Sequence, residues 1–199
     1  MSDETSINSE EQQPNVPEYK VGQKKTVAEY AALDAEDESL RKWKESLGIS
    51  TSAQTIGDPS DTRKVVVLEM IVYVEGMEPL HYNLEDPKVV EELKKKPITI
   101  KEKAKYHQEL KFRVQHEIVT GLKYTMVTKR AGIRANKIEE PCGSYPPSTA
   151  EKPFYIRRLP EGEAPSGMLA RGTYTALSTL TDDDKVVHMS IPWTFEIKK

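Results

Sequence analysis

From residue 64 onward, apolar positions recur with the period of two that marks half-buried strands. "VVVLEMIVYV" (65–74) is a β-branched run, and "LHYNL" (80–84) and "ITI" (98–100) are short strands. "KYHQELKFRVQ" (105–115) alternates along its length. Tyr106, Leu110, Phe112 and Val114 fall on one side; His107, Glu109, Lys111 and Arg113 fall on the other, with Gln108 interrupting the inward row. "EIVTGLKYTMVTKR" (117–130), "FYIRRL" (154–159), "MLARGTYTALSTLT" (168–181) and "KVVHMSIPWTFEIK" (185–198) complete the set. "AGIRAN" (131–136) reads as the turn after the long strand, "PCGSYPPS" (141–148) as a proline-bounded loop and "DDD" (182–184) as a hairpin tip. "DPKVVEELKKK" (86–96) is a short surface helix with Asp86 as N-cap and Pro87 at N1. The pattern predicts a mainly β fold: an immunoglobulin-like antiparallel β-sandwich over residues 64–199.

The first 63 residues follow a different pattern and read as a flexible arm. Residues 1–23 offer almost nothing to bury and are expected to be disordered. A helix over about 26–34 starts on a capping box of Thr26 and Glu29, with Val27, Tyr30 and Ala31 on one face. A second, over 37–47, starts at Asp37 or Ser39, places Leu40, Trp43 and Leu47 on one stripe and ends at Gly48. Acids at its front suit the helix dipole. Helices this short are marginal alone, so the stripe needs a surface: the sandwich itself or a partner. Residues 49–63 read as a linker.

Charge sharpens this division. Residues 1–40 hold ten acids and three bases, whereas the remaining 159 hold 26 bases and 22 acids. No dense basic stripe with interleaved aromatics points to nucleic acid. Cys142 is the sole cysteine, which excludes an internal disulfide framework and favours a reducing cytosol. No apolar run reaches membrane-spanning length and the N-terminus lacks a signal-peptide core, so a cytoplasmic protein without membrane insertion is expected.

Candidate chemistry is sparse. His81, His107, His116 and His188 form no metal-ligand spacing, so no metal site is expected. "GMLARGT" (167–173) superficially resembles a phosphate loop, but Thr173 stands where the lysine belongs and no helix follows. There is no G-x-S-x-G, and Cys142 has no neighbouring histidine to activate it. What remains is a binding protein rather than an enzyme, with no cofactor implied.

"LDAEDESLRKWKESLG", "FRVQHEIVTGLKY", "GSYPP", "APSGMLARGTY" and "TDDDKVVHMSI" occur in an order and spacing that resembles the Rho GDP-dissociation inhibitors, from about residue 19 to the end. The resemblance implies an inhibitor that binds prenylated Rho-family GTPases one to one, blocks GDP release and extracts them from membranes by sheltering the geranylgeranyl group. It implies that Tyr19, Asp37, Ser39, Leu40 and Trp43 of the arm meet the GTPase, with Asp37 reaching switch I and Ser39 close to it or capping the helix instead. Asp184 would pair with a switch II arginine. Val72, Ile98, Tyr106, Ile118, Ala176 and Trp193 would line the prenyl slot, each doubling as ordinary core. A general prenyl carrier would share the slot without needing the arm. A β-sandwich scaffold would have no slot.

Overall fold

The computed structural model describes residues 33, 37–40, 42 and 56–199. Among these, β1 (Val65–Val74), β2 (Leu80–Asn83), β4 (Lys105–Val114), β7 (Tyr155–Arg158) and β8 (Gly162–Glu163) build the first sheet. Its order is β2-β1-β4-β7, with β8 also on β4. The second sheet, in the order β3-β10-β9-β5-β6, contains β3 (Ile98–Lys101), β5 (Val119–Arg130), β6 (Ile133–Tyr145), β9 (Gly172–Thr181) and β10 (Val187–Lys198). The mainly β sandwich expected from the alternation is present. One pair departs from antiparallel order, since β3 runs parallel to β10. The helix α1 (Pro87–Lys95) carries the chain from the first sheet to that position.

The register explains why the alternation was readable. Inward residues of β4, from Gln108 through Leu110 and Phe112 to Val114, are all buried, and their outward neighbours are half-exposed. On β9 the buried set is Tyr174, Ala176, Ser178 and Leu180. Together with Met70, Val72, Trp193, Phe195 and Ile197 these form one core between the sheets. Asp86 caps α1 by accepting from Lys88 N at 2.9 Å, Pro87 occupies the first turn, and Leu93 is the helix's buried residue. The Thr194 hydroxyl donates to the Leu93 carbonyl at 3.3 Å, tying α1 to β10.

Two stretches differ from expectation. Residues 131–136 and 141–145, read as turn and loop, belong largely to β6, a strand of 13 residues. Only Ala131 and Gly132 make the turn, both with positive φ. β6 is an edge strand exposed along nearly all its length, so no apolar alternation announces it. Its Arg134, Lys137, Glu139 and Glu140 are what a solvent-facing edge requires. Conversely, residues 168–171 precede β9 as a loop instead of starting the strand.

At the N-terminal side, residues 56–63 hydrogen-bond to the sandwich. Ile56 N donates to Ser148 O at 3.1 Å, and Gln115 Nε2 donates to Arg63 O at 3.0 Å. Residues 38–40 and 42 are helical. Asp37 Oδ1 accepts from Ser39 N at 2.9 Å and Leu40 N at 3.1 Å, so Asp37 caps this helix and Ser39 lies inside it. The expected 26–34 helix, apart from Leu33, and the expected disorder of 1–23 lie outside the described residues.

Candidate functional site

The two sheets are not packed evenly along their length. At the end formed by the start of β4 and β9 and the close of β3, β5 and β10, a cavity of about 290 Å³ opens between them. Its apolar lining comes from Ile100, Tyr106, Ala164, Tyr174, Phe195 and Ile197, with exposed Asn136 and Glu163 also along it. Tyr174 and Phe195 stack at 5.0 Å and form one continuous wall. Tyr106 also lines an adjoining pocket of about 60 Å³ with Gln108, Tyr124, Ile138 and Leu159. Burial pushes the Tyr106 phenol above its ordinary pKa, as expected beside apolar space.

At the wall of the smaller pocket, where Gln108 and Tyr124 stand, the core turns polar. Trp193 Nε1 donates to Ser178 Oγ at 3.0 Å, Ser178 Oγ lies 2.7 Å from Tyr124 Oη, and Tyr124 Oη donates to Gln108 Oε1 at 2.7 Å. This rung runs from β10 and β9 through β5 to β4, so it crosses from one sheet to the other. Burial holds the Tyr124 hydroxyl far above the usual tyrosine pKa, so it remains a donor.

The loop before β9 edges the cavity through Ala164 and Pro165 and is anchored from below. Arg171 Nε donates to Glu102 Oε1 at 2.5 Å, Gly167 N donates to the same oxygen at 3.2 Å, and Tyr174 Oη donates to Ala170 O at 2.8 Å. Arg130 Nη2 donates to Arg171 O at 2.6 Å. The loop backbone is thus held while Met168 and Leu169 stand 82% and 89% exposed. The hydrogen bond from Arg171, more than its charge, lowers the Glu102 carboxyl below its ordinary value.

At the opposite end lies the β9–β10 hairpin tip, where three consecutive aspartates have different tasks. Asp182 is buried; its Oδ1 accepts from Val186 N at 2.9 Å and its Oδ2 meets His188 Nε2 at 2.9 Å. Asp183 packs over Gly121, where an added Cβ would lie 1.9 Å from the Asp183 carboxylate. Asp184 is exposed at the turn. With β9 ten residues long, the tip and the cavity are about 30 Å apart.

Against this geometry, the sequence candidates separate. Tyr106 lines both spaces. Val72, Ile98, Ala176 and Trp193 are buried in the shared core. Ile118 is half-buried just before β5, at the hairpin-tip end, roughly 30 Å along that strand from Thr128 at the cavity. Asp37, Ser39 and Leu40 are exposed, while Tyr19 and Trp43 lie outside the described residues. The sequence reading passed over Tyr124, Ser178, Tyr174, Phe195 and Ile197. Parity was the available signal: Ser178 is a polar residue at an inward position of β9, as Gln108 is on β4. Cys142 is buried, and burial pushes its thiol pKa up. Among the described residues, no cluster of three or more His, Cys, Asp or Glu is arranged to hold a metal, and no helix is long and apolar enough to cross a membrane.

A family model described as "RHO protein GDP dissociation inhibitor" matches residues 3–199. A Saccharomyces cerevisiae protein named Rho GDP-dissociation inhibitor is 49% identical over 197 residues, covering 98% of this chain and 97% of its own length. The Schizosaccharomyces pombe protein of that name is 44% identical over 92% of this chain and 87% of its own. Human Rho GDP-dissociation inhibitor 1 is 40% identical over 91% of this chain and 85% of its own.

Proposed function

This chain belongs to the Rho GDP-dissociation inhibitor family, a family of regulatory binding proteins rather than enzymes, and from that membership we propose that it shelters the isoprenoid of a prenylated Rho-family GTPase between its two sheets while its N-terminal arm clamps the switch regions. The observation that carries the reading is the cavity of about 290 Å³ opening between the sheets, with a mainly apolar wall and polar Thr128, Asn136 and Glu163 along it. An isoprenoid tail gains about 0.8 kcal/mol per buried CH₂ in a bilayer, so a carrier must offer comparably dry volume. An apolar cavity of about 150 Å³ holds a benzene, so this one takes roughly a dozen carbons as it stands. A geranylgeranyl group of about twenty carbons requires the space to extend toward Val72, Ala176 and Trp193.

Lipid burial nearly cancels between membrane and carrier, so contacts with the GTPase body must tip the balance. Residues 1–63 act as the regulatory arm and 64–199 as the lipid-binding body. Asp37 fixes the start of its helix, on which Leu40 is exposed, and Trp43 falls on the same stripe by sequence spacing. Laid on the switch loops, that stripe holds them still and slows GDP exit. Tyr19 and Asp184 add contacts, and the acidic tip speeds encounter with a basic GTPase surface. The complex is one to one and cytoplasmic.

The test compares prenylated with unprenylated Rho protein in a pull-down, followed by GDP release from the prenylated form. Retention of the prenylated protein only, with release slowed, is the expected result. Equal retention of both forms would sink the lipid half of the reading.

A further inference from the structure

Apolar side chains gather in water at the end of the sandwich where the cavity opens. Among the described residues, Leu169 and Met168 are the most exposed large apolar side chains, and Ile133 follows at 75%. Exposed Met77 stands in the β1–β2 turn at the same end. Single exposed apolar residues are ordinary, but several on one end of a small domain mark a contact surface. The segments that carry them are tied together. Glu75 N donates to Lys105 O at 2.8 Å, Lys103 N to Ala164 O at 2.9 Å and Arg130 Nη2 to Arg171 O at 2.6 Å. Arg130 in turn pairs in register with Ile133. Braced by Glu102 and Arg130, the loop before β9 holds Met168 and Leu169 in solvent although the cavity lies beside them.

Charge says what covers this surface. Exposed Lys101, Lys103, Arg134 and Lys199 stand at the same end. Its exposed acids are Glu75, Glu78, Glu161 and Glu163. Two of these are already engaged: Glu75 Oε2 accepts from Lys105 N at 3.1 Å, and Glu161 lies 3.8 Å from Lys105 Nζ and 3.7 Å from Arg158 Nη2. The three aspartates of the hairpin tip are at the far end. Apolar tips inside a basic rim match an anionic bilayer surface, where the tips enter the headgroup layer and the lysines meet phosphates.

We propose that the cavity end of the sandwich docks reversibly on anionic lipid, with Met168 and Leu169 as the inserting tip and Ile133 beside them. The contact is peripheral and spans nothing. It sets the cavity mouth against the bilayer, so that an isoprenoid passes from lipid to protein without crossing water. That handover rests on the prenyl-sheltering reading; the docking itself does not.

The experiment has two arms, both on the full chain with phosphatidylcholine vesicles made with or without phosphatidylserine. In the first, without cargo, Leu169→Trp is mixed with vesicles whose acyl chains are brominated. Its fluorescence is expected to be quenched well beyond that of the unaltered chain, and more on the anionic vesicles. Equal quenching of the two proteins overturns the docking. In the second, a Met168→Ser, Leu169→Ser double variant is expected to extract a prenylated Rho protein from anionic vesicles about tenfold more slowly than the unaltered chain, since two large apolar side chains no longer leave water. Its affinity for a prenylated peptide in vesicle-free solution and its thermal unfolding are expected to be unchanged. Equal extraction rates, or extraction and peptide affinity falling together, assign the loop to the cargo or to the fold and overturn the handover. If the unaltered chain binds no prenylated peptide, the sheltering reading falls, and the quenching arm still decides the docking.

Discussion

Single residues at the hairpin tip carry separable duties. Gly121 has φ +57° and faces the Asp183 carboxylate at a distance no Cβ tolerates. Gly121→Ala is therefore expected to destabilise the body by about 1–3 kcal/mol, combining an unfavourable backbone conformation with displacement of the tip; chemical denaturation reads it directly. Asp184→Ala alters neither member of the Asp182–His188 pair. It is expected to slow association with a prenylated GTPase several-fold at low ionic strength. The difference should shrink as added salt shortens the ~10 Å Debye length, which stopped-flow mixing across a salt series would measure. Cys142 belongs to the opposite category. Buried and with its thiol pKa raised by desolvation, it should alkylate only after unfolding. Native-state labelling by iodoacetamide at neutral pH would contradict that placement.

Among the elements, the loop before β9 depends on one carboxylate. Glu102 binds Arg171 and Gly167, and its pKa is depressed by the hydrogen bond from Arg171. A depressed folded-state value means the tether is fully present above the ordinary glutamate pKa of about 4.3 and is lost as pH falls through the lower folded value. Protection factors of the Gly167 and Ala170 amides, taken against intrinsic exchange at each pH, should therefore hold through neutral pH and fall in acid. Glu102→Gln should show the acid behaviour at pH 7. Elements differ in how far the sequence disclosed them. β4 was legible because one face is core and the pleat repeats every two residues, β1 because it is a β-branched run buried on both faces, and α1 because Asp86 and Pro87 mark its start. β6 was hidden, since an exposed edge strand owes its existence to backbone pairing with β5, which leaves no hydrophobic trace. The cavity was half legible. Tyr106 stood out, but Tyr174, Phe195 and Ile197 look like any other inward residues until β9 and β10 are aligned against β3. Gln108 was visible as an interruption, whereas its link through Tyr124 to Ser178 needed the facing sheet.

At the scale of the whole molecule, the described body and the arm divide the proposed work. Residues 56–63 hydrogen-bond to the sandwich, so a cut that spares them leaves the body intact. Removing residues 1–55 is expected to preserve affinity for a prenylated peptide within about twofold while abolishing most of the slowing of GDP release. Fluorescent-nucleotide exchange on prenylated Rho protein measures the second quantity, and undiminished slowing by the truncated chain would refute the clamp. The separation of about 30 Å between the acidic tip and the cavity imposes a further demand, this time on the cargo. A GTPase seated on Asp184 must thread its own C-terminus down the flank of the sandwich, and at ~3.3–3.6 Å per extended residue this takes about nine residues. On the proposed reading the body would thus work as a caliper, admitting only clients whose trailing peptide is long enough to touch both jaws.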